Sequence, residues 1–107
     1  IKNEKLSYKF WATASIMAAY YEILNISSNW LIKKGINKST ANNYIAELFL
    51  SLSQDAVNKK SQGFKKLVAD SQTPNGLNTQ VLNELKKGRF YSKFIKAMDN
   101  INRRVSS

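Results

Sequence analysis

The residue types that could do chemistry at a useful spacing sit together in one stretch, SQTPNGLNTQVLNELKKG, running from Ser71 to Gly88. It holds the only proline of the chain, Pro74, followed at once by Asn75 and Gly76, and an amphipathic helical pattern begins just after them. Thr73 can act as a helix N-cap, and Pro74 fits the first helical position, where its missing donor costs nothing. Asn75 and Gly76 tolerate unusual backbone angles, and a glycine lets a ligand come close to the chain. The N–H groups near Gly76, Leu77 and Asn78 would converge at the positive end of the helix dipole, with the side chains of Asn78 and Thr79 beside them. Such an arrangement suits a carboxylate or a phosphate. A plain turn before a helix is the simpler alternative.

Other chemistry is short of parts. The 107 residues include neither histidine nor cysteine, which removes the Ser-His-Asp triad, a zinc site, thiolate chemistry and any disulfide framework. The absence of cysteine also favours a reducing, cytoplasmic setting. Seven acidic residues occur singly along the chain, so a carboxylate pair or metal cage would have to be assembled from distant positions. No residue is therefore assigned a catalytic role, and no metal or cofactor site is expected in this chain itself. There is no G-x-G-x-x-G and no βαβ pattern, so the nucleotide-binding half of any dehydrogenase is not here.

The elements that must position the loop are helical. Apolar spacing of three and four residues dominates, and strand-like alternation is nearly absent. A long first helix is expected from about Glu4 to Lys34, with a break near Asn25 to Ser28; Gly35 follows its lysine pair as a stop. Between Phe10 and Leu24 it is apolar nearly all round, which in a small domain calls for cover from a second chain. A second helix, capped by Asn37 or Ser39, carries Ala41, Ile45, Leu48 and Phe49. A short third one carries Phe64 and Leu67. The fourth opens after the Pro-Asn-Gly turn and is broken by Gly88, and the fifth carries Phe90, Phe94, Met98 and Ile101. The expectation is an all-α fold of about five helices in a single domain over residues 1–107. The low-charge run from Phe10 to Tyr21 is too short to span a membrane. The lack of an initiator methionine suggests a piece of a longer protein.

The net charge of +10 raises a nucleic-acid reading. The basic residues come as doublets, Lys33-Lys34, Lys59-Lys60, Lys65-Lys66, Lys86-Lys87 and Arg103-Arg104, mostly at expected helix ends. There they complement the helix dipole, and aromatics do not interleave with them, so nucleic acid is disfavoured as a partner.

The segment TPNGLNTQVLNELKKGRFYSKFIKAMDNINRR resembles the C-terminal part of pyrroline-5-carboxylate reductases, where a Thr/Ser-Pro-Gly-Gly loop opens a helix and a glycine leads into the last one. It is closer still to a divergent branch whose loop reads Thr-Pro-Gly-Gly-Leu-Asn. The upstream stretch from Ala12 to Leu52 is similar to the family's long first helix, its turn and its second helix, so the resemblance runs from about Glu4 to Arg104. It implies an interlocked helical dimerisation domain, as in the 6-phosphogluconate dehydrogenase C-terminal-like group, forming a homodimer through the long first helix. It also implies a parent oxidoreductase of proline biosynthesis, whose separate Rossmann domain binds NAD(P)H and which reduces an imine or a related substrate. The isolated domain would not be active. The carboxylate of a small substrate would be held by the loop Thr73, Pro74, Asn75, Gly76, Leu77 and Asn78. Asn75 stands where the family has glycine. Asn78 stands where characterised members have the threonine that gives a proton to the ring nitrogen, and asparagine is a poor proton source. Another imine or keto substrate, or a lost activity, is the implied alternative. Tyr20 matches a tyrosine of the family's Gly-Pro-Ala-Tyr ending, here without its glycine and proline. Two readings outside the reductase family remain: a basic all-α module that binds nucleic acid, and a protein-interaction module with no catalytic role.

Overall fold

Two hydroxyl groups divide the first helical stretch. Thr13 Oγ1 donates to Phe10 O at 2.8 Å, and Ser15 Oγ donates to Trp11 O at 2.7 Å. The Ser15 N–H bonds the same Trp11 carbonyl at 3.0 Å, so neighbouring carbonyls are claimed by side chains just where the ladder should continue. The structure, a computed structural model, describes residues 4–106. In it the helix α1 covers Glu4–Ala14, the ladder lapses at Ser15 and Ile16, and α2 covers Met17–Lys33. The break expected near Asn25 to Ser28 is therefore misplaced. Along that part of α2 the amides are satisfied within the helix: Asn25 Nδ2 donates to Glu22 Oε1 at 2.7 Å and Asn29 Nδ2 to Asn25 Oδ1 at 3.3 Å.

The end of α2 follows the expected glycine signal. Gly35 has φ of +104°, its N–H bonds Ile32 O at 3.0 Å, and the Ile36 N–H bonds Leu31 O at 3.1 Å. Those two bonds form a Schellman motif, with glycine in the position that needs a left-handed backbone. A Cβ built on Gly35 meets nothing within 4 Å, so the requirement is purely conformational. Gly35→Ala should lower stability by about 1 to 2 kcal/mol, read from urea melts with an unchanged m-value.

Asn37 then starts α3, Lys38–Lys59, by accepting the Thr40 N–H at 2.8 Å on its side-chain oxygen. Of the two caps offered by the sequence it is the one used. A 3-10 turn over Lys60–Gln62, which the sequence reading did not anticipate, leads through Gly63 (φ +89°) into α4, Phe64–Asp70. The last two helices are α5, Leu77–Lys87, and α6, Phe90–Ser106. Between them Gly88 keeps an ordinary φ of −75°, and Arg89, at φ +63°, makes the left-handed step. All five expected helices are thus present, the first in two pieces, and no strand occurs among the described residues. The fold is all-α.

The residues pack as two compact units, one drawn from the chain up to Ala18 and from Thr73 onward, the other spanning Ala19–Gln72. In the first, α6 lies against α1 and α5. Its Phe94, Met98, Ile101 and Val105, spaced at three, four and seven, are half-buried there. In the second unit Ser28 Oγ on α2 donates to Asn42 Oδ1 on α3 at 2.5 Å, and the Tyr20 ring meets Phe49 edge-on, with centroids 6.0 Å apart. Ala41 and Ile45 are buried on α3, and α4 packs on its far end. Tyr20, the residue matched to a family tyrosine, is thus a packing residue of this unit.

Candidate functional site

The loop before α5 is a tight turn with its amides partly committed. Pro74 supplies a fixed φ, Asn75 sits at φ +62°, and the Gly76 N–H closes onto Thr73 O at 2.8 Å. Positive φ at the third position with proline at the second marks a type II turn, and asparagine is the best non-glycine residue for it. The carbonyl of Thr73 accepts a second bond, from Thr79 Oγ1 at 3.0 Å, which ties the turn to the first turn of the helix. Gly76, in extended backbone at φ −79° and ψ 168°, is the N-cap, and Gln80 N–H makes the first ladder bond to Gly76 O at 3.1 Å.

Three expectations change accordingly. Thr73 is not the N-cap and Pro74 is not the first helical residue, because the Gly76-to-Thr73 turn bond forms first and moves the helix start to Leu77. The amide of Gly76 serves the turn, so the helix-end donors begin at Leu77. The hydroxyl of Thr79 holds the Thr73 carbonyl. Gly76 is needed for a reason the sequence did not show: a Cβ there would come within 2.2 Å of Thr73 Oγ1 and 3.0 Å of Thr73 O. Of the six residues expected to form the loop, Thr73 to Gly76 make the turn, while Leu77 and Asn78 open α5. Leu77 is 82% exposed.

This arrangement can present helix-start donors, and the Thr79 hydroxyl beside them is committed to the Thr73 carbonyl. The next carboxylate along α5, Glu84, accepts from Gln80 Nε2 at 2.9 Å. No cluster of three or more metal-ligating side chains occurs among the described residues.

The larger feature is uncovered apolar surface. Among the apolar side chains of the described residues only Ala12, Ala41 and Ile45 are buried. Phe10 is 55% exposed, Met17 63% and Tyr21 57%, all within the helical stretch that the sequence marks as needing cover. Between α2 and α3 lies an open hollow of about 430 Å³, walled by Tyr21, Leu24, Ile32 and Ile45 with Ser28 and Asn42 among them. No helix among the described residues is long and apolar enough to cross a membrane.

Comparison with known proteins points the same way. The family model described as pyrroline-5-carboxylate reductase dimerisation matches residues 4–107. Neither the curated proteins nor the solved structures yield a match.

Proposed function

The chain belongs to the pyrroline-5-carboxylate reductase dimerisation family, and on that premise we propose that it joins two copies of a reductase subunit while lending the Thr73–Asn78 loop to the substrate site. The observation that carries the reading is the exposure of Phe10, Trp11 and Met17 in the first unit and of Tyr21 in the second, apolar side chains that the chain by itself leaves in water. A second copy covers them with the same surface turned through a two-fold axis. Sedimentation equilibrium at micromolar concentration should show a dimer, and a stable, well-folded monomer would remove the proposal.

In this reading a Rossmann domain elsewhere in the parent protein would hold NAD(P)H, which would supply reducing chemistry, and the substrate is a small carboxylate-bearing imine of proline metabolism in the cytoplasm. The helix-start donors of α5 from Leu77 onward orient the substrate by its carboxylate. Asn78 can hydrogen-bond that substrate but does not protonate it, so the proton comes from elsewhere in the parent or the substrate differs from pyrroline-5-carboxylate. The loop's part is tested in the parent enzyme. Gly76→Ala should raise KM for the carboxylate substrate about tenfold and leave KM for the nucleotide unchanged, whereas equal changes in both would assign the loop to general structure.

A further inference from the structure

Read as doublets, the basic residues mark helix ends, and several do lie in last turns: Lys33, Lys59, Lys86, Lys87, Arg103 and Arg104. Helical geometry shows a second pattern on α6. At 3.6 residues per turn, Lys93, Lys96, Arg103 and Arg104 fall within a strip about 100° wide, with Asn100 near its centre. Arg89, just ahead of the helix, joins them: it lines a shallow open hollow of about 380 Å³ together with Ser92, Lys93, Lys96 and Asn100. The row is about 21 Å long from Arg89 to Arg103. The single acid of α6, Asp99, lies off the strip. The two ion pairs among the described residues, Lys59 with Asp55 and Lys66 with Asp70, are on α3 and α4, and neither reaches Arg89, Lys93 or Lys96.

We propose that this face of α6 binds the sugar–phosphate backbone of a nucleic acid without reading its sequence. Charges spread over such a length cannot converge on one small anion. A duplex strand carries a phosphate about every 3.4 Å, so a row of this length runs beside roughly six of them. Asn100, whose Oδ1 accepts from the Arg103 guanidinium, keeps its Nδ2 group to donate to phosphate oxygens, while the Ser92 hydroxyl donates to Arg89 O at 3.2 Å. The large apolar residues Phe94, Met98 and Ile101 lie on the other side of α6, half-buried in its unit with α1 and α5. The exposed aromatics of α6, Phe90 and Tyr91, pair edge-on with each other, and the cations themselves offer only phosphate contacts, which carry no sequence information. The same packing keeps the apolar side of α6 from inserting into a bilayer, which favours nucleic acid over a lipid surface. The inference is independent of the reductase reading; a dimer would simply carry two such rows.

Fluorescence anisotropy with a labelled duplex of about 20 base pairs tests it, with phosphatidylserine vesicles as a parallel arm. The expected result is binding whose log affinity falls with log salt at a slope of about −3 to −4. Lys93→Glu with Lys96→Glu should weaken it at least tenfold. Lys60→Glu with Lys65→Glu, an equal charge change at exposed positions of the other unit, should weaken it less than about threefold. Should the double-Glu variant fold poorly, Lys93→Gln with Lys96→Gln should still make the salt slope shallower by about two. Absent duplex binding, equal losses in both double-Glu variants, or binding to the vesicles alone would each overturn the proposal.

Discussion

Tyr21→Asp should raise the dissociation constant of the dimer by about a thousandfold or more, leaving monomer at micromolar concentration. Tyr21 is more than half exposed on α2 and walls the hollow facing α3, amid the apolar surface that a second chain must cover. Removing a buried tyrosine from the centre of an interface typically costs 2 kcal/mol or more. Placing an unpaired carboxylate in the same spot adds a desolvation penalty of about the same size. Together they reach about 4 kcal/mol, three orders of magnitude in affinity. Asn43→Asp is the matching control. It adds the same charge to an exposed position on α3 that does not line the hollow, and it should leave the dimer within about threefold of the original. Equal weakening by the two variants in sedimentation equilibrium would mean that net charge, not cover of Tyr21, governs assembly.

The second large effect is expected at Gly76. Its alanine variant should lose about 2 to 3 kcal/mol of stability, because the new methyl group collides with the Thr73 hydroxyl and crowds the Thr73 carbonyl. That carbonyl anchors both the Gly76 N–H and Thr79 Oγ1, so its displacement loosens the turn and the helix start together. The backbone angles of Gly76 are ordinary, which makes the cause steric and therefore reversible by a second change. Thr73→Ala removes the hydroxyl at 2.2 Å and leaves the carbonyl at 3.0 Å as the remaining tight neighbour. In that background Gly76→Ala should cost at least about 1 kcal/mol less, a coupling that a double-mutant cycle of urea melts measures directly. Strict additivity would show that Gly76 is retained for something other than room beside Thr73.

Much of this fold is legible in the residues because helix boundaries are local. Asn37 caps because its side chain reaches the Thr40 N–H, and Gly35 stops α2 because its own backbone can turn left-handed. The lapse at Ser15 and Ile16 is local too, but it depends on hydroxyl bonds to Phe10 and Trp11 that compete with many alternatives of similar energy. The left-handed step at Arg89 is less readable still. A glycine stands next to it at Gly88, and the choice between the two follows from how α6 is aimed onto α1 and α5. At the loop, residue types were enough to mark Thr73 to Asn78 as unusual but not to assign their roles. Thr73 contributes a carbonyl where a hydroxyl cap was expected, since Pro74 and Asn75 favour a type II turn that closes before a helix can start. The cations of α6 were visible all along as letters, and only their common side of the helix makes them a surface.

No large side chain among the described residues is fully buried. Mass action then enters the chain's stability directly through the proposed dimer: beyond the packing within each unit, the remaining apolar cover forms only when two molecules meet. Folding and association become one equilibrium, two unfolded chains against one folded pair, and the midpoint of melting shifts with dilution. Each tenfold fall in concentration should remove about 1.4 kcal/mol per mole of dimer. Inside a cell, the amount of protein made would thereby decide how much of it is folded at all.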